Sequence, residues 1–166
     1  TRDQGGNELD HLYVIDPEGN ERDLTPGGNL KAGFMGFSQD GGSFFVTSNE
    51  RDPRFFDVYR YDSDDYGREL VFRNDDGYEP SEISPDGRWL ALGQTHTTND
   101  SDLHVVELAT GGITKVSQHE GQAQFSAEDF SPDGQWLYYT ANDQGEFAAL
   151  RRVNLQTWEH EPVRSA

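Results

Sequence analysis

The chain has no cysteine, which excludes a disulfide framework and a thiolate metal site. Lysine is almost as scarce. Of 13 basic residues only Lys31 and Lys115 are lysines, and 31 acidic residues bring the net charge to −18. A phosphate backbone would be repelled, so nucleic acid is not an expected partner. A lysine-poor, anionic surface fits two settings: a salty habitat, where a strongly hydrated surface keeps the protein soluble, or a bacterial protein that is simply acidic. No apolar run approaches the roughly 18–20 residues of a membrane-spanning helix, and no membrane partner is expected. No signal peptide opens the sequence. It starts at Thr1 rather than Met, from which we expect that an upstream segment has been removed. The compartment, periplasmic or cytoplasmic in a bacterium, stays open.

What the sequence does have is a phrase said three times. Phe37-Ser38-Gln39-Asp40-Gly41 is followed by Ile83-Ser84-Pro85-Asp86-Gly87 and Phe130-Ser131-Pro132-Asp133-Gly134, at spacings of 46 and 47 residues. Each copy leads into an apolar run, Ser43–Thr47, Arg88–Leu92 and Gln135–Tyr139. Pro fixes φ for the first corner of a turn, Asp bonds back to the backbone, and Gly takes the left-handed position. A period of roughly 40–50 residues, each holding four short strands, is the signature of a propeller blade.

The strands follow from these turns. In the second repeat we expect Glu79–Ser84, Arg88–Gln94, Asp102–Leu108 and Ile113–Val116; in the third, Phe147–Leu155 and Trp158–Val163 supply the last two. Phe55–Tyr61 and Glu69–Phe72 do so in the first. Ahead of Phe37, His11–Asp16 aligns with Asp57–Asp62, and Glu21–Thr25 takes the fourth-strand place. That is the back half of a further blade, and Thr1–Glu8 is placed to hold the end of an earlier strand. The expected fold is all-β: a single partial β-propeller domain over 1–166, with about three and a half four-stranded antiparallel blades. Its parts are a half blade at 1–30 and blades at 31–77, 78–122 and 123–166. Closed propellers usually have 4–8 blades, so we expect a piece of a larger one, with exposed ends that favour a homodimer.

Several residues invite a chemical reading. Ser38, Ser84 and Ser131 each precede a turn; none lies in a G-x-S-x-G elbow, and bonding to the turn backbone is the expected role. His11, His96, His104, His119 and His160 show no metal-ligand spacing and read as surface or strand histidines. Asp62–Gly67 resembles a calcium loop but has Tyr66 and Arg73 where Asp or Asn and Glu belong, so a solvated turn is expected, as at Asn99–Asp102. Trp89 and Trp136 recur at one repeat position, as inter-blade core residues do, whereas Trp158 belongs nearer the surface. Glu79, Glu128 and Asp129 fall just before the first-strand motifs, toward a propeller axis. There they are placed either to hold a substrate amine or a cation, or simply to be solvated. No catalytic residue, cofactor-binding residue or metal ligand is expected in this chain, and no cofactor.

Arg2–Glu8, Leu12–Asp16, Arg22–Pro26, Ile83–Trp89, Thr98–Leu103, Phe130–Tyr139 and Gly145–Phe147 together resemble the N-terminal propeller of prolyl oligopeptidase-family serine peptidases, in the bacterial acylaminoacyl-peptidase-like branch. The opening R-D-x-G-G-x-E and the G-x-E-F stretch are more specific than the S-P-D-G turns, which TolB-like propellers share. Gln39 departs from the pattern where Pro is usual and is expected to loosen that turn. The resemblance implies a propeller that caps a separate α/β-hydrolase domain with a Ser-Asp-His triad and admits small peptides. On that reading this chain is the non-catalytic, substrate-gating part of a serine peptidase, with the hydrolase domain and peptides as partners. The alternative is a TolB-like binding propeller that serves as a protein-protein interaction module.

Overall fold

A computed structural model of the chain describes residues 1–3, 6, 9–145 and 147–163. Among them there is no helix, and fourteen strands run in chain order. A two-stranded sheet joins β1 (Tyr13–Ile15) to β2 (Glu21–Asp23). Three four-stranded sheets follow, each with its strands paired in sequence order and antiparallel. The first holds β3 (Ala32–Phe37), β4 (Ser43–Asp52), β5 (Phe55–Asp62) and β6 (Arg68–Phe72). The second holds β7 (Glu79–Ile83), β8 (Trp89–Thr97), β9 (Asp100–Glu107) and β10 (Gly112–Lys115). The third holds β11 (Phe125–Phe130), β12 (Trp136–Ala141), β13 (Ala149–Asn154) and β14 (His160–Pro162). The fold is a partial β-propeller: consecutive four-stranded meanders, each one blade. In the third repeat the expected third strand begins late, at Ala149 rather than Phe147, which is 83% exposed.

The chain divides into two compact units, Thr1–Gly77 and Tyr78–Ala166. In the first unit the half blade lies on the β3–β6 blade. Leu12, Leu24 and Leu30 bury there against Phe44, Val46, Tyr59 and Tyr61. In the second unit two blades meet. Trp89, Ala91, Leu103 and Val105 from one join Phe125, Phe130, Leu137, Tyr139 and Val153 from the other in a continuous cluster. Burying this much aromatic and aliphatic surface is the main force holding each pair of sheets together.

The repeated phrase builds the same turn three times. The Ser84 hydroxyl donates to Asp86 Oδ1 at 2.6 Å and accepts the Trp89 N–H at 2.8 Å, while the Arg88 N–H donates to the same Asp86 oxygen at 3.0 Å. Ser38 and Ser131 repeat this with Asp40 and Asp133. The closing glycines Gly41, Gly87 and Gly134 have φ of +70°, +69° and +66°, where a side chain would be strained. Gln39 loosens nothing: the Gly41 N–H still reaches the Ser38 carbonyl at 2.9 Å, as Gly87 reaches Ser84 at 2.8 Å. The hydroxyl–carboxylate pair, not the proline, closes the turn.

Two tryptophan expectations are overturned. Trp89 is 7% exposed and inside the core, with Trp158 of the following blade set edge-on to it at 6.0 Å. Trp158 therefore packs onto the core instead of lying outside it. Trp136, at the matching position, is only partly buried, and its ring is covered by the Arg152 guanidinium of its own blade at 4.0 Å. The repeat position is shared; the neighbour that buries it is not.

A polar cleft on two inner strands

Within residues 78–166, the first strands β7 and β11 flank a cleft of about 570 Å³. Its wall mixes apolar surface from Pro80 and Phe125 with hydroxyls and amides, among them Ser81, Thr95, Ser101, Gln124, Ser126 and Asn142. Its charged lining residue among the described ones is Glu79, whose Oε2 accepts from the Thr95 hydroxyl at 3.2 Å. Beside it Thr140, another wall residue, donates to Glu128 Oε1 at 2.8 Å. Asp129 Oδ1 accepts its neighbour's N–H, from Phe130, at 2.7 Å. A fourth carboxylate joins them. Glu82 on β7 has its pKa raised, first by burial and then by the negative charges of Asp129 and Glu128. Glu128 and Asp129 thus share one neighbourhood with Glu82, while Glu79 stands in the cleft wall bonded to Thr95. Such a surface attracts a cationic group by field, and its hydroxyls and amides can bond to a peptide backbone.

All three inner strands carry a bulge at the same place, between Phe34 and Gly36, Pro80 and Glu82, and Ala127 and Asp129. A bulge shifts the side-chain alternation by one residue. It is this shift that brings Glu82 and Asp129 into their places, and nothing in the residue types announces it.

The candidate residues elsewhere are absorbed by structure. Each turn serine donates to its own aspartate and accepts a backbone N–H. Asp62 turns onto its own loop, accepting from the N–H groups of Asp64 and Asp65 at 2.8 and 3.2 Å. His11 is not a surface histidine: it is 1% exposed, with Nδ1 2.8 Å from Asp23. His104 is buried as well, and burial lowers its pKa.

Asp102 departs most from expectation. It is not a solvated turn residue but a 7% exposed hub. Lys115 Nζ lies 2.7 Å away, His96 Nε2 2.9 Å, the Ser117 hydroxyl 2.8 Å and His119 Nε2 3.4 Å. Burial alone would raise its pKa, but the hydrogen bonds from Lys115, His96 and Ser117 prevail and hold it well below the usual carboxylate range. Asp57, fully buried at the matching third-strand position, is gripped instead by Arg51 Nε at 2.7 Å and by the Asn74 N–H at 2.8 Å. A carboxylate recurring at that position was the signal in the sequence for both hubs. Among the described residues no group of three or more His, Cys, Asp and Glu is arranged to hold a metal ion.

No family model matches the chain. Among curated proteins it is 38% identical over 159 residues to dipeptidyl aminopeptidase BIII of Pseudoxanthomonas mexicana, covering 93% of this chain and 23% of that protein. It is 30% identical over 101 residues to the Tol-Pal system protein TolB of Alcanivorax borkumensis, covering 61% of this chain and 23% of that one. Among solved structures, a prolyl endopeptidase superposes on 93% of the chain, and on 23% of its own, with a TM-score of 0.71 at 19% identity. The chain is a propeller domain of the prolyl oligopeptidase family. TolB shares its architecture, as the S-P-D-G turns led us to expect. The propeller spans about a quarter of the length of the curated relatives it matches.

Proposed function

We propose that this propeller is the non-catalytic, substrate-gating part of a serine peptidase acting on small peptides, and that its partner is an α/β-hydrolase domain of the same parent chain. The observation that carries this reading is the 38% identity to a dipeptidyl aminopeptidase across 93% of the chain. The cleft on β7 and β11 supports it. Glu79 in a wall rich in hydroxyls and amides, with Glu128 bonded to the wall residue Thr140, suits a peptide with a free amino end better than it suits an acidic ligand.

The test uses the parent protein. Dipeptidyl and acyl-peptidyl chromogenic substrates should be cleaved, and a folded protein of similar sequence should not. Glu79→Gln and Glu128→Gln should raise KM for substrates with a free amino end more than for their acylated counterparts. Equal effects on both would detach the cleft from substrate binding, and a parent without peptidase activity would sink the reading. The TolB likeness, 30% over 101 residues, favours a protein-binding propeller as the second reading. A parent lacking a G-x-S-x-G elbow would leave that one standing.

A further inference from the structure

The turn between third and fourth strands closes alike in three repeats. The N–H groups of Tyr66, Gly111 and Trp158 bond back to the carbonyls of Asp62, Glu107 and Asn154, the last residues of β5, β9 and β13, at 3.1, 2.8 and 2.8 Å. All three residues have positive φ, +62°, +71° and +61°. Glycine is at ease there, whereas an aromatic side chain is strained. Tyr66 and Trp158 are the non-glycine residues with positive φ among those described, so this strain falls at one place in the repeat.

The turn does not need the aromatic, since Gly111 closes the same hydrogen bond without one. What the rings reach is the neighbouring repeat. Trp158 lies edge-on to Trp89 at 6.0 Å, with 88° between the planes, and packs on the cluster that both blades share. Tyr66 packs on the cluster that joins half blade and blade, and the Arg22 guanidinium of the half blade lies 5.5 Å from its ring centre. The strained backbone therefore serves the neighbour and not the turn.

In residues 78–166 the two blades joined in this way are the two that flank the polar cleft. Gly93, Gln94 and Thr95 of its wall lie toward the end of β8, and Trp89 begins that strand. At the cleft end polar bonds tie the blades together. The Ser101 N–H donates to the Ala123 carbonyl at 2.9 Å, the Phe125 N–H to Ser101 Oγ at 3.0 Å, and Gln124 Nε2 to the Thr98 carbonyl at 2.8 Å. At the other end of β8 stands Trp158. Apolar burial between these ends is non-directional, whereas an edge-on ring pair prefers one geometry, so the ring pair and the polar bonds set the angle between the blades. We propose that Trp158 is a positioning residue: a latch, held in a strained backbone, that fixes how far apart the β7 and β11 walls of the cleft stand.

Variants of the full chain separate the latch from the turn. Trp158→Ala keeps the strain and loses the ring, Trp158→Gly loses both, and Trp158→Phe keeps a ring. For a latch, the folding equilibrium constant from urea unfolding falls from the parent through Trp158→Phe and Trp158→Gly to Trp158→Ala, with Trp158→Gly about tenfold or more below the parent. If Trp158→Gly matches the parent, or shows the gain of about fivefold that glycine brings to a left-handed position, the proposal is overturned. The absence of cysteine allows nitroxides at Ser81→Cys and Ser126→Cys, exposed positions on the two cleft walls. Their dipolar spectrum should show a wider range of distances in Trp158→Gly and the parent's range in Trp158→Phe. Val153→Ala, which removes packing from the same cluster away from the turn, should leave the spectrum unchanged. An unchanged spectrum in Trp158→Gly, or equal broadening in Val153→Ala, overturns the proposal. If Trp158→Gly does not fold, Trp158→Leu takes its place in the nitroxide measurement, where an unchanged spectrum again overturns it. Neither readout involves peptidase activity, so the latch stands or fails separately from the proposed function.

Discussion

Phe37 and Phe130 occupy one position in two copies of the same repeat, after the same bulge and before the same serine turn. One is 61% exposed and the other 3%. The pair separates two things that sequence repeats tend to confound. Strand, bulge and turn are written inside each copy, because their hydrogen bonds close within a few residues or between adjacent strands. Burial is a property of the neighbouring copy. In residues 78–166 a complete blade supplies β8 and its Trp89; in residues 1–77 the half blade supplies β1 and β2 and the bridge at Arg2.

Deleting the two rings breaks this comparison most directly. Phe130→Ala should cost about 3–5 kcal/mol, since a closed core cannot fully collapse onto the lost volume. Phe37→Ala should cost no more than about 1 kcal/mol, as an exposed ring has little transfer energy to lose. All three tryptophans lie in residues 78–166, so denaturant unfolding followed by tryptophan fluorescence reports Phe130→Ala, and amide exchange along β3 reports Phe37→Ala. Comparable costs for the two would mean that the half blade covers its partner as fully as a complete one.

The tryptophans sharpen the same point within a single unit. Trp89→Ala should cost about 3–5 kcal/mol, because it removes a core ring and the edge-on partner of Trp158. Trp136→Ala should cost only about 1–2 kcal/mol, the loss of a half-buried ring and its stacked Arg152. Urea unfolding monitored by far-ultraviolet circular dichroism compares them on one scale, and a Trp136→Ala loss matching that of Trp89→Ala would show a covered face.

What could be read from the sequence follows the same division. The three S-x-D-G turns, the strands around them and the half blade at His11–Thr25 were legible, because each is specified by residues a few positions apart. The fate of Trp136 was not, since its exposure depends on what packs over it. Nor was Asp102, whose ligands His96, Lys115, Ser117 and His119 come from different strands and the loop after them, and converge only after folding. The cleft was half legible. Glu79, Glu128 and Asp129 were legible as carboxylates just before the first-strand motifs, but Glu82 needed the bulge after Pro80 to bring it under the influence of Asp129 and Glu128.

The two third-strand hubs carry the comparison to polar groups. Asp102→Asn should destabilise residues 78–166 by about 1–3 kcal/mol at neutral pH through weaker charged hydrogen bonds, with Lys115 still 46% exposed and free to solvate. The folded pKa of Asp102 lies below its unfolded value, so its contribution is present above pH ~4 and is lost as pH falls through the folded value. The gap between variant and parent should therefore close on acidification. A gap independent of pH between about 7 and 2 would mean that the carboxylate's charge contributes nothing to the hub.

The smallest expected effect concerns Glu82, and it has the opposite sign. Its folded pKa is raised by burial and by the charges of Asp129 and Glu128, so folding favours the protonated acid. The stability that this preference contributes is fully present below the unfolded value near pH 4.3 and is lost as pH rises through the folded value. At pH 7 the ionised side chain is a mild liability, and Glu82→Gln should stabilise residues 78–166, by less than about 1 kcal/mol because solvent screens a partly exposed site. The gain should vanish near pH 4, and at pH 7 it should shrink on adding salt, which screens Asp129 and Glu128. No homologous effect is expected in residues 1–77, where the bulge that precedes Gly36 places no carboxylate on the inner strand. A stabilisation that persists at pH 4 would assign it to side-chain shape rather than charge, and the acidic neighbourhood on β7 and β11 would then be electrostatically independent residues rather than one coupled surface.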